Sequence, residues 1–67
     1  MTGARLRQIR EQLGLRQEHM AALLGVHRQT LNRYENGRLA IPVPVAKIAQ
    51  MVAPLENRVD RRKRSAG

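Results

Sequence analysis

The stretch "QEHMAALLGVHRQTLNRYENG", residues Gln17 to Gly37, contains two amphipathic segments joined by a glycine. Met20, Ala21 and Leu24 form an apolar stripe at helical spacing, which predicts a helix over about residues 17–24 ending at Gly25. Leu31 and Tyr34 give the apolar side of a second helix, over about 28–35, and "ENG" closes it with Gly37 free to adopt positive φ. Each residue type has a packing reason. Ala21 lets the two helices cross at close range, Gly25 permits the sharp turn, and Met20, Leu24, Val26, Leu31 and Tyr34 fill the angle between them.

Working outward from this pair, Leu6, Ile9 and Leu13 recur at helical spacing, with Thr2 as N-cap and Gly14 as stop, so a first helix is expected over about 3–13. Beyond Gly37, "RLAIPVP" is expected to be extended, because Pro42 and Pro44 push their predecessors out of the α region. Pro44 also suits the first position of a helix, and Val45, Ile48, Ala49 and Val52 supply its stripe over about 44–53. Pro54 breaks or kinks the next segment, in which Leu55 and Val59 are apolar anchors four apart and allow a short fifth helix. "RRKRSAG" reads as a basic, disordered tail. With no internal repeat and no strand-like alternation, the fold class is all-α, a bundle of four to five helices.

A chain of 67 residues has room for one domain with a small core, and without cysteine it has neither a disulfide nor a thiolate metal site to reinforce it. Thirteen Lys and Arg against five Asp and Glu leave a formal charge of +8. Most of those cations are Arg, the side chain suited to phosphate and to base edges, so the balance points to a polyanionic partner. No apolar run approaches the roughly 18 residues of a membrane span, and "MTGARLRQIR" lacks a secretory apolar segment, which implies a cytoplasmic protein without a membrane partner. Catalysis is not expected: two histidines lack matched carboxylates, there is no Gly-rich phosphate loop, and the chain is too short for a closed pocket around a small-molecule substrate. No cofactor and no metal site are expected either.

The pattern from Gln17 to Tyr34 resembles the helix-turn-helix motif of the Cro and lambda-repressor-like family, also called the XRE family. "LRQIREQLGLRQEHMAALLGVHRQTLNRYENGR" extends the likeness, which runs from Leu6 to about Val52. The resemblance implies a helical DNA-binding domain over residues 1–57, with the basic tail over 58–67, usually acting as a dimeric transcription regulator. At about 100° per residue, Arg28, Asn32, Gln29 and Arg33 fall in a sector of about 140°, opposite Leu31 and Tyr34. Burying those two projects the four polar side chains outward, as a helix reading the major groove of double-stranded DNA requires. Arg pairs bidentately with guanine, and Gln or Asn with adenine, so Arg28, Gln29 and Asn32 are expected to contact bases, with Arg33 at the sector edge reaching a base or a phosphate.

The resemblance implies further roles. It places Gln17, Asn36 and Arg38 against backbone phosphate, with His27 and Thr30 also expected at the DNA backbone. Arg10 and Glu35 match a structural ion pair that ties the first helix to the end of the third and orients without reading. Arg16 and His27 depart from the Ser or Thr that often caps helices two and three in relatives. In the tail, Arg58, Arg61, Arg62, Lys63 and Arg64 stand against Asp60 alone and suit a phosphate track or a minor groove. A homodimer on a palindromic operator is expected, with Val52, Leu55 and Val59 as its interface. The layout is similar to small repressors of phages and mobile elements, including the anti-CRISPR-associated group. Alternatives are an antitoxin of a toxin–antitoxin pair and a coactivator-like adaptor. RNA binding lacks the stacking aromatics it uses, because Tyr34 is the only aromatic residue.

Overall fold

Thr2 opens the first helix by accepting the Arg5 backbone N–H on its hydroxyl at 3.1 Å. In this computed structural model, which describes residues 1–54, that helix is α1, Gly3–Gln12. After it come α2, Gln17–Leu24, α3, Arg28–Glu35, and α4, Val43–Val52. No strand occurs among the described residues, and the chain is all-α. Leu55, Val59, the expected fifth helix and the basic tail lie outside the described residues.

The turn between α2 and α3 forms for a local reason. Gly25 takes φ 75°, the left-handed conformation that a Cβ disfavours, and the Gly25 and Val26 N–H groups return to the carbonyls of Ala22 and Ala21 at 3.2 and 2.9 Å. Those bonds satisfy carbonyls that the helix end would otherwise strand. The same closure ends α1, where Leu15 N–H reaches the Arg10 carbonyl at 3.2 Å, and α3, where Arg38 N–H reaches the Arg33 carbonyl at 2.9 Å. Arg16 and His27 stand at the N-caps of α2 and α3 with extended backbones and no side-chain cap hydrogen bond, as their chemistry predicts.

The fourth helix begins one residue earlier than expected. Pro42 is its N-cap, its carbonyl accepts the Ala46 N–H at 3.0 Å, and Pro44 occupies the second helical position. Helical starts tolerate proline because their first N–H groups have no partner within the helix. The expected extended run therefore stops at Pro42. Ala53 is extended at ψ 145° because Pro54 comes next, and this ends α4 at Val52.

The core gathers Leu6 and Ile9 of α1, Met20, Ala21 and Leu24 of α2, Leu31 and Tyr34 of α3, and Val45 and Ala49 of α4, with Ala53 beyond. Leu13, Leu15, Val26, Ile41, Ile48 and Val52 pack around it, half-buried. α3 lies against both α1 and α2. At the α1–α3 contact the chains meet backbone to backbone: a Cβ on Gly3 would sit 2.2 Å from the Tyr34 carbonyl oxygen and 2.8 Å from that of Glu35. Only glycine fits there. Because α3 is held on two sides through Leu31 and Tyr34, its opposite side is fixed toward solvent.

Candidate nucleic-acid interface

Arg28, Gln29, Asn32 and Arg33 are all exposed, on the side of α3 away from Leu31 and Tyr34. Together with Gln17 at the start of α2 they line an open concavity of about 380 Å³. The structure thus brings together the four residues expected at base edges and one of those expected at phosphate. Every side chain lining the concavity carries N–H donors, and two are guanidinium cations.

The acid of α3 faces the other way. Glu35 is buried, and the Arg10 guanidinium donates to both carboxylate oxygens, Nε to Oε2 at 2.7 Å and Nη2 to Oε1 at 3.2 Å. Arg10 Nη1 also donates to the Leu15 carbonyl at 3.0 Å, so the guanidinium is held on three sides of its fork. The side chains of this pair are 14% and 3% exposed. Turning the carboxylate inward and neutralising it leaves the outer face of α3 with positive charge alone.

Gln17 has a role that the sequence does not signal: its Nε2 donates to Glu35 Oε1 at 3.2 Å, so one amide hydrogen is committed to the buried ion pair. A second hydrogen on the same nitrogen remains for a phosphate. Gln17 therefore joins the Arg10–Glu35 pair to the rim of the concavity.

The other expected residues are not among those lining it. His27 is exposed at the α3 N-cap, Thr30 is half-buried within the helix, and Arg38 is exposed in the loop after it. Asn36, the C-cap of α3, directs its side-chain amide to Asn32, with Nδ2 donating to Oδ1 at 3.0 Å. Val52 is half-buried against the core, while Val43 and Met51 of α4 are exposed at 66% and 72%. Among the described residues no cluster of His, Cys, Asp or Glu is arranged to hold a metal ion, and no helix is long and apolar enough to cross a membrane.

A family model described as a helix-turn-helix domain matches residues 2–63 and so spans α1 to α4. No curated protein and no solved structure matches the chain.

Proposed function

The chain belongs to the helix-turn-helix domain family, and on that premise we propose that it is a sequence-specific regulator of the Cro and lambda-repressor-like (XRE) type. Its α3 enters the major groove, and its outcome is repression, including repression of its own promoter as in small phage and mobile-element repressors. The observation that carries this reading is the convergence of Arg28, Gln29, Asn32 and Arg33 on one solvent-facing concavity of a net-cationic chain, with the acid of the same helix turned inward.

Arg28, Gln29 and Asn32 read base edges, and Arg33, on the same face, reaches a base or a phosphate. Gln17, through its remaining amide hydrogen, His27, Thr30, Asn36 and Arg38 fix the register on the phosphate backbone. One eight-residue helix covers only a few base pairs, so a homodimer on an inverted repeat, with half-sites about 34 Å apart, gives the contacts a specific site needs. Val52, Leu55 and Val59 form the dimer contact. The domain over 1–57 reads the DNA, the basic segment over 58–67 adds phosphate or minor-groove contacts, and the site of action is the prokaryotic cytoplasm or nucleoid. The protein works by binding, without catalysis, cofactor or metal.

The test is selection of bound duplexes from a random pool, then titration of the Arg28→Ala and Gln17→Ala variants. A palindromic motif is expected; Arg28→Ala relaxes one base pair, whereas Gln17→Ala weakens all sites alike. A pool without any motif, or equal losses on specific and random DNA for both variants, would overturn the assignment.

A further inference from the structure

The side-chain hydrogen bond from Asn36 to Asn32 spans one turn of α3 on the outward side, and both residues are exposed. Its donor is anchored. Asn36 sits at the helix C-cap with φ −89° and ψ 0°, its own backbone N–H bonded to the Asn32 carbonyl at 3.0 Å, so both ends of the amide pair hang from fixed backbone.

An asparagine that reads adenine in bidentate fashion must offer its carbonyl to N6 and its amide nitrogen to N7. In this chain Asn32 Oδ1 is already turned to Asn36. That bond takes one of the two lone pairs of Oδ1 and holds the amide in one orientation, so the larger share of what Asn32 offers the concavity it lines is Nδ2, with two hydrogens to donate. Two donors suit the N7 and O6 acceptors of guanine, or the O4 of thymine, and oppose the amino group of adenine. The carboxylate of α3, which as an acceptor would turn Asn32 round, is committed to Arg10 and Gln17.

We infer that Asn36 is a specificity-determining residue that acts through Asn32, presetting its amide as a donor so that the base beneath it is selected for acceptor edges, guanine above all, and against adenine. The inference rests on α3 being the groove-reading helix. It gives Asn36 a positioning role that a phosphate contact by its second amide hydrogen would not supply.

The experiment is duplex selection with the full-length wild-type chain and with Asn32→Ala, Asn36→Ala and Asn36→Asp, read as base preference at each position. Asn32→Ala identifies the position that Asn32 reads, and there the wild type is expected to select guanine over adenine. Asn36→Ala frees the carbonyl and draws that preference toward parity. In Asn36→Asp a carboxylate accepts from Asn32 Nδ2 and turns the carbonyl outward, so adenine or cytosine, which present amino groups, gain roughly fivefold or more. The added negative charge lowers affinity on every sequence equally and leaves relative preference readable.

Adenine at the Asn32 position of the wild type overturns the inference while leaving the groove-reading intact, and this needs neither Asn36 variant to fold. An unchanged base preference in both Asn36 variants, or a preference weakened equally at all positions, also overturns it. A wild-type pool with no motif removes the reading helix itself and the inference with it.

Discussion

Replacing Arg10 by methionine tests how much of this small fold depends on one buried charge pair. Methionine keeps much of the aliphatic stem but removes the three donors that hold Glu35 and the Leu15 carbonyl. The carboxylate left behind is 3% exposed and keeps only the Gln17 amide, at 3.2 Å. Breaking a buried pair from one side costs about 3–5 kcal/mol. A chain of this length has about 3–10 kcal/mol of stability in total, so Arg10→Met is expected to be largely unfolded or to melt about 12–40 °C lower. The surface pair Arg7–Glu11, at 3.1 Å and 61% and 56% exposed, provides the control, and Arg7→Met should cost well under about 1 kcal/mol. Replacing both Arg10 and Glu35 by methionine removes the stranded charge and should recover most of the loss. Urea titration monitored by helical circular dichroism measures all four proteins. If Arg10→Met costs no more than Arg7→Met, or the double variant is no better than the single one, burial is not what gives the pair its weight.

The remaining expectations concern backbone fit, charge and assembly. Gly3→Ala would ordinarily favour a helix by up to about 1 kcal/mol, yet a Cβ 2.2 Å from the Tyr34 carbonyl forces α1 off α3, so a net destabilisation of about 1–3 kcal/mol is expected in the same titration, and a stabilised variant would refute the close approach. With about three to five phosphates neutralised per subunit, the logarithm of affinity should fall with the logarithm of salt at a slope of about −3 to −4.5 per subunit, and a flat response by fluorescence anisotropy would exclude backbone anchoring. Leu55→Asp should halve the sedimenting mass, and an unchanged mass would rule out the proposed dimer contact.

The bounds of α2 and α3 were legible because their punctuation is local. Gly25 and Gly37 each close a helix through bonds to carbonyls within a few residues, and the stripe of Met20, Ala21, Leu24, Leu31 and Tyr34 leaves one way to fold the pair. The start of α4 was blurred because "PVP" offers two prolines that both suit a helix start, and the helix uses both, Pro42 as N-cap and Pro44 at the second position. Gly3 gave no signal. The atoms its Cβ would strike belong to residues more than thirty positions away, and sequence spacing carries no information about that approach. The outward placement of Arg28, Gln29, Asn32 and Arg33 came from periodicity alone. The hydrogen bonds that the amides of Gln17 and Asn36 donate to Glu35 and Asn32 depend on side-chain torsions that periodicity does not fix.

An anion in the last turn of a helix is opposed by the macrodipole, and Glu35 is also desolvated, so stability alone does not explain it; two apolar residues of similar volume would serve as well. What the pair adds is direction. A planar guanidinium bonded to both carboxylate oxygens fixes the rotation of α3 about its own axis relative to α1, whereas methionine against methionine permits sliding. That rotation decides how squarely Arg28, Gln29 and Asn32 face a base pair. The Arg10→Met, Glu35→Met double variant should therefore keep its fold and the same preferred bases, because the reading side chains are unchanged, but lose about tenfold of its discrimination between the selected site and random DNA. Competition binding at fixed salt measures this, and a double variant that folds and discriminates as the wild type does would reduce the ion pair to a contribution to stability.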